Sequence, residues 1–339
     1  MPQRTRLLAV VLVALLAPAC SDDEGNPFDQ FSFSRPPSQD AVLFYVSGAW
    51  AEEAGRPREL FALDASGTVE RLTSCTERSE PCDFLEAAPS SNPERIVAVR
   101  GTIGGDPEAT ALFFVDLGRS VETIIAPARR VQGADWSFDD SLVIYSNGDR
   151  ENLFTVRPNG DEDGLLTDTP DFRERSPRLA PSLSGAVYEG LTETPGKSLI
   201  YFFLGAESMT PATRGGPGSD VLPGTPYVVG SDASPVFAPN EQFFAFRRLT
   251  GTGNGGLGTW DILALPTSGT EVEPLVVAGG GEVYRGPPDW GPDGRLAFVE
   301  TNMATEESHL VVMAPDGSDR EVLHSEQAGY RMDSPRWLR

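Results

Sequence analysis

Three short stretches carry residue types that could do chemistry. "DWGPDGRLAFVE", residues 289–300, sets Asp289 and Asp293 around a Gly–Pro–Asp–Gly run, carboxylates that could face a metal or a substrate. "NGDEDG", residues 159–164, places Asn159, Asp161 and Asp163 at alternating positions before Gly164, as the first half of a calcium loop does. "GTGNGG", residues 251–256, satisfies the G-x-G-x-x-G spacing of a dinucleotide-binding turn.

Two of the three lack a partner feature that the chemistry requires. A calcium loop ends on a bidentate Glu at its twelfth position, and that position is Pro170. A dinucleotide turn needs a helix whose N-terminus receives the phosphates. Here "FFAFRRLT" precedes the glycines and "LGTWDILAL" follows, so they join strand to strand. No G-x-S-x-G elbow occurs. The two histidines, His309 and His324, are too few for a metal-dependent lyase built on several imidazoles. Neither a catalytic residue, a metal nor a cofactor is expected.

The opening stretch is decided by its relatives. "DWSFDDSLVIY" (135–145), "RLAPSLSGAVY" (178–188), "VFAPNEQFFAF" (236–246), "APSSNPERIVAV" (88–99) and a cut-off "DSPRWLR" at the end repeat its pattern. Aligned core positions fall at Pro89, Trp136, Leu179, Phe237, Trp290 and Trp337, separated by 47, 43, 58, 53 and 47 residues. That is the spacing of propeller blades, roughly 40–50 residues for four strands. In Gly291–Pro292–Asp293–Gly294, proline presets φ and glycine takes the left-handed position that follows. Other copies keep the turn without the carboxylate. Asp293 therefore reads as scaffold.

A second series interleaves with the first, from "LFALDASGTVERLT" (60–73) to "HLVVMAPDGSDREVLH" (309–324), each copy a strand, a turn and a strand. Together they predict an all-β chain, a six-bladed β-propeller of four-stranded antiparallel blades, with strands A to D running outward. The chain begins with a B strand, "AVLFYV", and ends with an A strand, "PRW". The C-terminal strand should therefore join the N-terminal blade and close the ring.

The combination of core aromatic, Pro–Asp–Gly turn, "LAF" and "LVVMAPDGSDREVL" resembles the propeller repeats of the TolB family, the WD40-like propeller repeats. The resemblance covers residues 41–339 and implies a six-bladed propeller in the bacterial cell envelope.

The N-terminus agrees with export. Arg4 and Arg6 precede an apolar run, Leu7 to Leu16, too short to span a bilayer but suited to a signal-peptide core. It ends on "LAPAC", which looks like a lipobox. Residues 1–19 read as a lipoprotein signal peptide, Cys20 as the lipidated residue and 20–40 as a flexible acidic tether; an ordinary secretory signal is the alternative. In an exported chain, Cys75 and Cys82 bracket a short polar loop and are expected to form a disulfide. The formal charge of −23, with Lys197 as the single lysine, repels nucleic acid and anionic lipid heads. Membrane contact should run through the lipid anchor only.

An aromatic–arginine pair recurs before three inner strands: Phe172–Arg173, Tyr284–Arg285 and Tyr330–Arg331. In one reading each ring packs between blades while its arginine pairs with the acidic surface. In the other the pairs ring the channel mouth and contact a partner. The B–C and D–A connections, long and varied, share one face of the disc with these pairs; the short A–B and C–D turns share the other. The expected function is a monomeric, non-catalytic propeller binding an envelope protein or glycan. The alternative is a propeller-type polysaccharide hydrolase or lyase with its active site at the channel mouth.

Overall fold

A computed structural model describes residues 41–338, apart from 50–56, 76–81, 103–109, 127–129, 148–151, 170–171, 193–196, 204–208, 224, 226, 254–256 and 269–272. Cys20 and the rest of residues 1–40 lie outside the described residues. The described residues form six antiparallel sheets arranged around a central channel, with no helix among them. This is a six-bladed β-propeller.

The innermost strands are Cys82–Pro89, Ala134–Trp136, Phe172–Leu179, Asp232–Phe237, Val283–Arg285 with Asp289–Trp290, and Tyr330–Trp337. The last belongs to the first blade. It pairs with Ala41–Ala49, Leu43 opposite Trp337 and Ala49 opposite Tyr330, and Glu59–Asp64 and Val69–Arg71 complete that sheet. In the sixth blade the inner strand is split because Pro287 and Pro288 have no N–H to give the ladder; both pieces pair with Leu296–Asn302.

Each core position of the repeat fills the seam with the preceding blade. Trp136 packs on Val97, Val99 and Leu112, and its indole N–H donates to the Ala88 carbonyl at 2.9 Å. Trp290 packs on Ala245, Ile262 and Ala264. Trp337 packs on Ala297, Val299, Leu310 and Val312, so the closing seam has the same construction as the others. Leu179 and Phe237, the half-buried members, sit against the third and fourth blades. The outer strands are held by a repeated device: the hydroxyls of Thr73, Thr167 and Thr213 accept from the N–H groups of Leu60, Leu153 and Ile200.

The turns behave as their sequence implies. The Gly291 N–H donates to the Arg295 carbonyl at 2.7 Å, Gly294 has φ 82°, and Asp293 pairs with Arg295 at 2.7 Å. Asn159 and Asp161 bond each other within the turn that leads into Gly164–Leu165, and Asp163 accepts from the Tyr145 hydroxyl at 2.6 Å. Cys75 and Cys82 form a disulfide with Cα atoms 5.1 Å apart, linking the end of the first blade to the start of the second.

Inner strands converge where the channel is narrow, and their backbones bend to fit. Ser176, Ser234 and Ser334 have φ of 47°, 53° and 49°, each before a proline and each at a register shift in its ladder. Proline at the next position disfavours the right-handed helical region for these serines. The third blade has Gly133 at the equivalent place, φ 86°, and a Cβ there would meet Ser176 Cα at 2.6 Å.

Two measurements test this construction. Trp337→Ala should cost on the order of 3–5 kcal/mol in urea denaturation. Removing residues 333–339 should lower the melting temperature further and expose an edge that aggregates. An unchanged melting temperature in the truncated chain would refute ring closure. Separately, Gly133→Ala should destabilise by about 1–3 kcal/mol, through the left-handed φ and the contact with Ser176. Ser176→Gly should not destabilise, because glycine relieves the same backbone conformation.

Candidate functional site

Counting back three residues from each core position gives Glu86, Gly133, Ser176, Ser234, Pro287 and Ser334, and all six line one cavity of about 320 Å³ in the channel. These residues stand midway along the inner strands or just before or between them, and Val131, Gln132, Tyr227, Tyr284 and Arg331, from D–A connections and strand starts, complete the lining. The cavity therefore lies toward the D–A and B–C connections, on the long-loop side.

Charged groups meet in the cavity from separate blades. The Tyr284 hydroxyl is the hub: Arg331 Nη2 donates to it at 2.8 Å and Arg247 Nη1 at 3.2 Å, and it donates to Asp333 Oδ2 at 3.2 Å. Arg331 also pairs with Asp333 and lies over the Tyr284 ring, 4.4 Å from its centroid. Arg247 lies over Trp260 at 4.3 Å. Burial alone would raise the Asp333 carboxyl, but Arg331 and Arg247 overcome it and hold the group below the usual aspartate range. On the fourth blade, Glu189 is fully buried and accepts from the Tyr227 hydroxyl at 3.2 Å. Burial pushes Glu189 up, while Arg175, its cross-strand neighbour, draws it back.

The floor is a buried ionic bridge. Glu86 Oε1 accepts from Arg178 at 2.9 Å and also from Arg336, which joins the second blade to the fourth and the first. Arg178 donates on to the Ala134 carbonyl of the third blade at 3.2 Å. Asp289 accepts the backbone N–H of Trp337 at 2.8 Å, so one carboxylate of the opening motif stitches the sixth blade to the closing strand.

The aromatic–arginine pairs stand on the inner strands themselves, not in loops ahead of them, because the strands continue past the bulges. Their members also part company. Tyr284 and Arg331 meet in the cavity, though they come from different pairs and different blades. Arg285 turns into the seam between the sixth and fifth blades, with Glu300 of its own sheet at 2.9 Å and Asp261 and the Trp260 carbonyl of the fifth blade at 3.6 and 2.9 Å. Phe172 packs edge-on to Tyr201, 4.8 Å between centroids. Phe172, Arg173 and Tyr330 are half-buried, and none of the three lines the cavity.

Sequence reasoning missed Glu86, Tyr227, Arg247 and Asp333. For Glu86 the signal was in the aligned repeats, three residues before the core position; Asp333 stands four before its own, and Tyr227 and Arg247 lie outside the inner strands. His309 and His324 stand on the outer two strands of the sixth blade, away from the channel. Among the described residues, no group of three or more His, Cys, Asp or Glu side chains is placed to hold a metal ion.

No protein-family model matches this chain, and no curated protein matches it. Solved structures do. A putative TolB from Agrobacterium tumefaciens superposes with a TM-score of 0.59 at 13% identity, over 88% of this chain and 99% of that one. The fold is that of a TolB-type propeller. A chain of a nidogen/laminin complex gives 0.60 at 8% identity, over 88% and 98%. An oligogalacturonate lyase in complex with manganese gives 0.50 at 13% identity, over 85% and 75%. At these identities the likeness concerns the fold alone.

The ionic floor and the Asp333 cluster make separate expectations. Glu86→Gln leaves two buried guanidiniums without their carboxylate and should cost about 3–5 kcal/mol in denaturant unfolding. A cost near zero would show that the bridge is solvated. Asp333 is depressed in the folded chain, so its contribution is present above the ordinary aspartate value of 3.8 and is lost as pH falls through the lower folded value. The stability difference between the wild type and Asp333→Asn should therefore shrink as pH drops below 3.8. A difference independent of pH would contradict the assignment.

Proposed function

We propose that this chain is an exported, lipid-anchored binding propeller of the bacterial cell envelope, which holds an envelope protein or glycan on its long-loop face. The observation that carries the reading is the cavity at that end of the channel, to which all six blades contribute and where arginines, tyrosines and acids converge. Rigid scaffolds present recognition groups on their long loops, and arginine and tyrosine are the residues that interfaces favour. A propeller in a nidogen/laminin complex and one described as a putative TolB share the fold. The anchor rests on the apolar run ending in LAPAC, with Cys20 carrying the lipid.

The rival reading, a polysaccharide hydrolase or lyase at the channel mouth, draws on the same cavity and on the fold shared with an oligogalacturonate lyase. What supports binding over chemistry is the state of the carboxylates. Glu86 and Asp333 are both tied to arginines, and Glu189 is sealed beneath Tyr227.

A photo-crosslinking residue at Val221 or Glu282, both exposed on the long-loop side, should capture a partner from envelope extracts, while one at Phe138 on the tight-turn face should not. Capture from Phe138 alone would move the binding face. Cys20→Ala should release the protein from membranes on fractionation. A wild type already found in the soluble fraction would remove the anchor.

A further inference from the structure

The cavity contains a cation with no direct ion pair among the described residues: Arg247 and Asp333 both bond the Tyr284 hydroxyl, and Asp333 acts on Arg247 from across it. Inner and second strands of each blade oppose one another at the level of the cavity, and in the fourth blade the opposed residues are Arg175 and Glu189, a matched pair of charges. In the fifth blade the corresponding residues are Ala233 and Arg247. The small alanine offers Arg247 no acid. The hydrogen bonds of the Arg247 guanidinium go to neutral groups, the Tyr284 hydroxyl at 3.2 Å and the Arg285 carbonyl at 3.4 Å. Its Nε is buried with no hydrogen-bond partner among the described residues, and none of their carboxylates forms an ion pair with it. Asp333 pairs directly with Arg331. Arg247 and Arg331 share the Asp333 carboxylate, so an anion entering the cavity would meet positive charge that is not matched one to one.

The surroundings of Arg247 indicate what that anion is joined to. Trp260 covers one face of the guanidinium at 4.3 Å and Nη1 is taken by Tyr284 and Arg285, which leaves Nη2 to donate to a carboxylate. The opposite wall is apolar, made by Leu85, Val99 and Val131. A volume of about 320 Å³ lies at the small end of ligand sites, roughly 300–1,000 Å³, and suits a chain end rather than a long segment. We infer that the channel cavity captures the C-terminal carboxylate of a partner polypeptide on Arg247, with an apolar last side chain against Leu85, Val99 and Val131. This deepens the binding reading above and rests on it. No bond is made or broken; the carboxylate supplies the acid that Ala233 leaves out.

The test is calorimetric titration of the purified chain with the tripeptide Gly-Ala-Leu, its C-terminal amide, and glucuronic acid. The free acid should bind at least about tenfold more tightly than the amide, since the amide cannot supply the charge. Arg247→Gln should remove that preference, and Arg247→Lys should restore part of it. The acid–amide comparison on the wild type needs no variant to fold. Equal binding of acid and amide, an unchanged preference in Arg247→Gln, or binding of glucuronic acid but not of the peptide would each overturn C-terminal capture. If such a failure came with cross-links still forming from Val221, the long-loop reading would stand; cross-links from Phe138 alone would sink that reading itself.

Discussion

The structure depends on one pairing, that of the last strand with the first. Residues 330–337 are the inner strand of a blade whose other three strands are N-terminal, so the ladder between Leu43 and Trp337 is what makes a row of sheets into a ring. Without it the first blade would lack its inner strand, and the seam beside the sixth blade would lose Trp337 from a cluster with Ala297, Val299 and Val312. The bond from the Trp337 N–H to Asp289 fixes the register of that seam. Closure also sets how near the inner strands approach. The left-handed serines and the close approach of Gly133 to Ser176 accompany that crowding.

Crowding has an electrostatic consequence. Inner strands have one face toward their own sheet and another toward the channel, so polar side chains near the axis are buried without lying in an apolar core. Their charges have to be met by other polar side chains. Glu86 meets Arg178 and Arg336 across blades, Glu189 meets Arg175 within the fourth blade, and Asp333 meets Arg331 on one strand. Such pairs return little net stability, because desolvation offsets most of the attraction, but breaking one is expensive. The Glu86 bridge therefore specifies the relative placement of blades more than it strengthens the ring. Arg247 makes no direct ion pair among the described residues, and it lines the cavity.

The repeats made the blades, the tight turns, the closing strand and the disulfide legible, because each depends on local chemistry: proline and glycine at fixed turn positions, apolar strands at a fixed period, two cysteines close in sequence. The cavity was only half legible. Tyr284 and Arg331 could be picked out as residue types suited to recognition, but their meeting is a contact between blades, 47 positions apart in the chain. Arg285 looked equivalent to Arg331 in sequence, yet Glu300 on its own sheet and Asp261 on the fifth blade take it up. Arg247 sits inside "FFAFRRLT", where a strand pattern hides it. Only the pairing register shows that its opposite residue is an alanine.

The two faces of the disc use their carboxylates in different ways. On the tight-turn face, Asp64, Asp139, Asp293 and Asp316 each accept a backbone N–H two residues further on, at 2.8, 3.1, 3.1 and 2.9 Å. Side-chain bonds from Ser66, Ser141, Arg295 and Ser318, joined by backbone N–H bonds, hold the carboxyls of all four below the usual aspartate range; for Asp293 they outweigh burial, which acts the other way. Such an aspartate completes a turn and has little left to offer a ligand. In the channel no turn absorbs the charges; they are balanced by other polar side chains. An acidic chain thus places its acids where backbone geometry consumes them and gathers arginines at the axis. A negatively charged group crossing the long-loop face leaves a repulsive surface and enters a cavity where Arg247 and Arg331 stand against the rings of Trp260 and Tyr284.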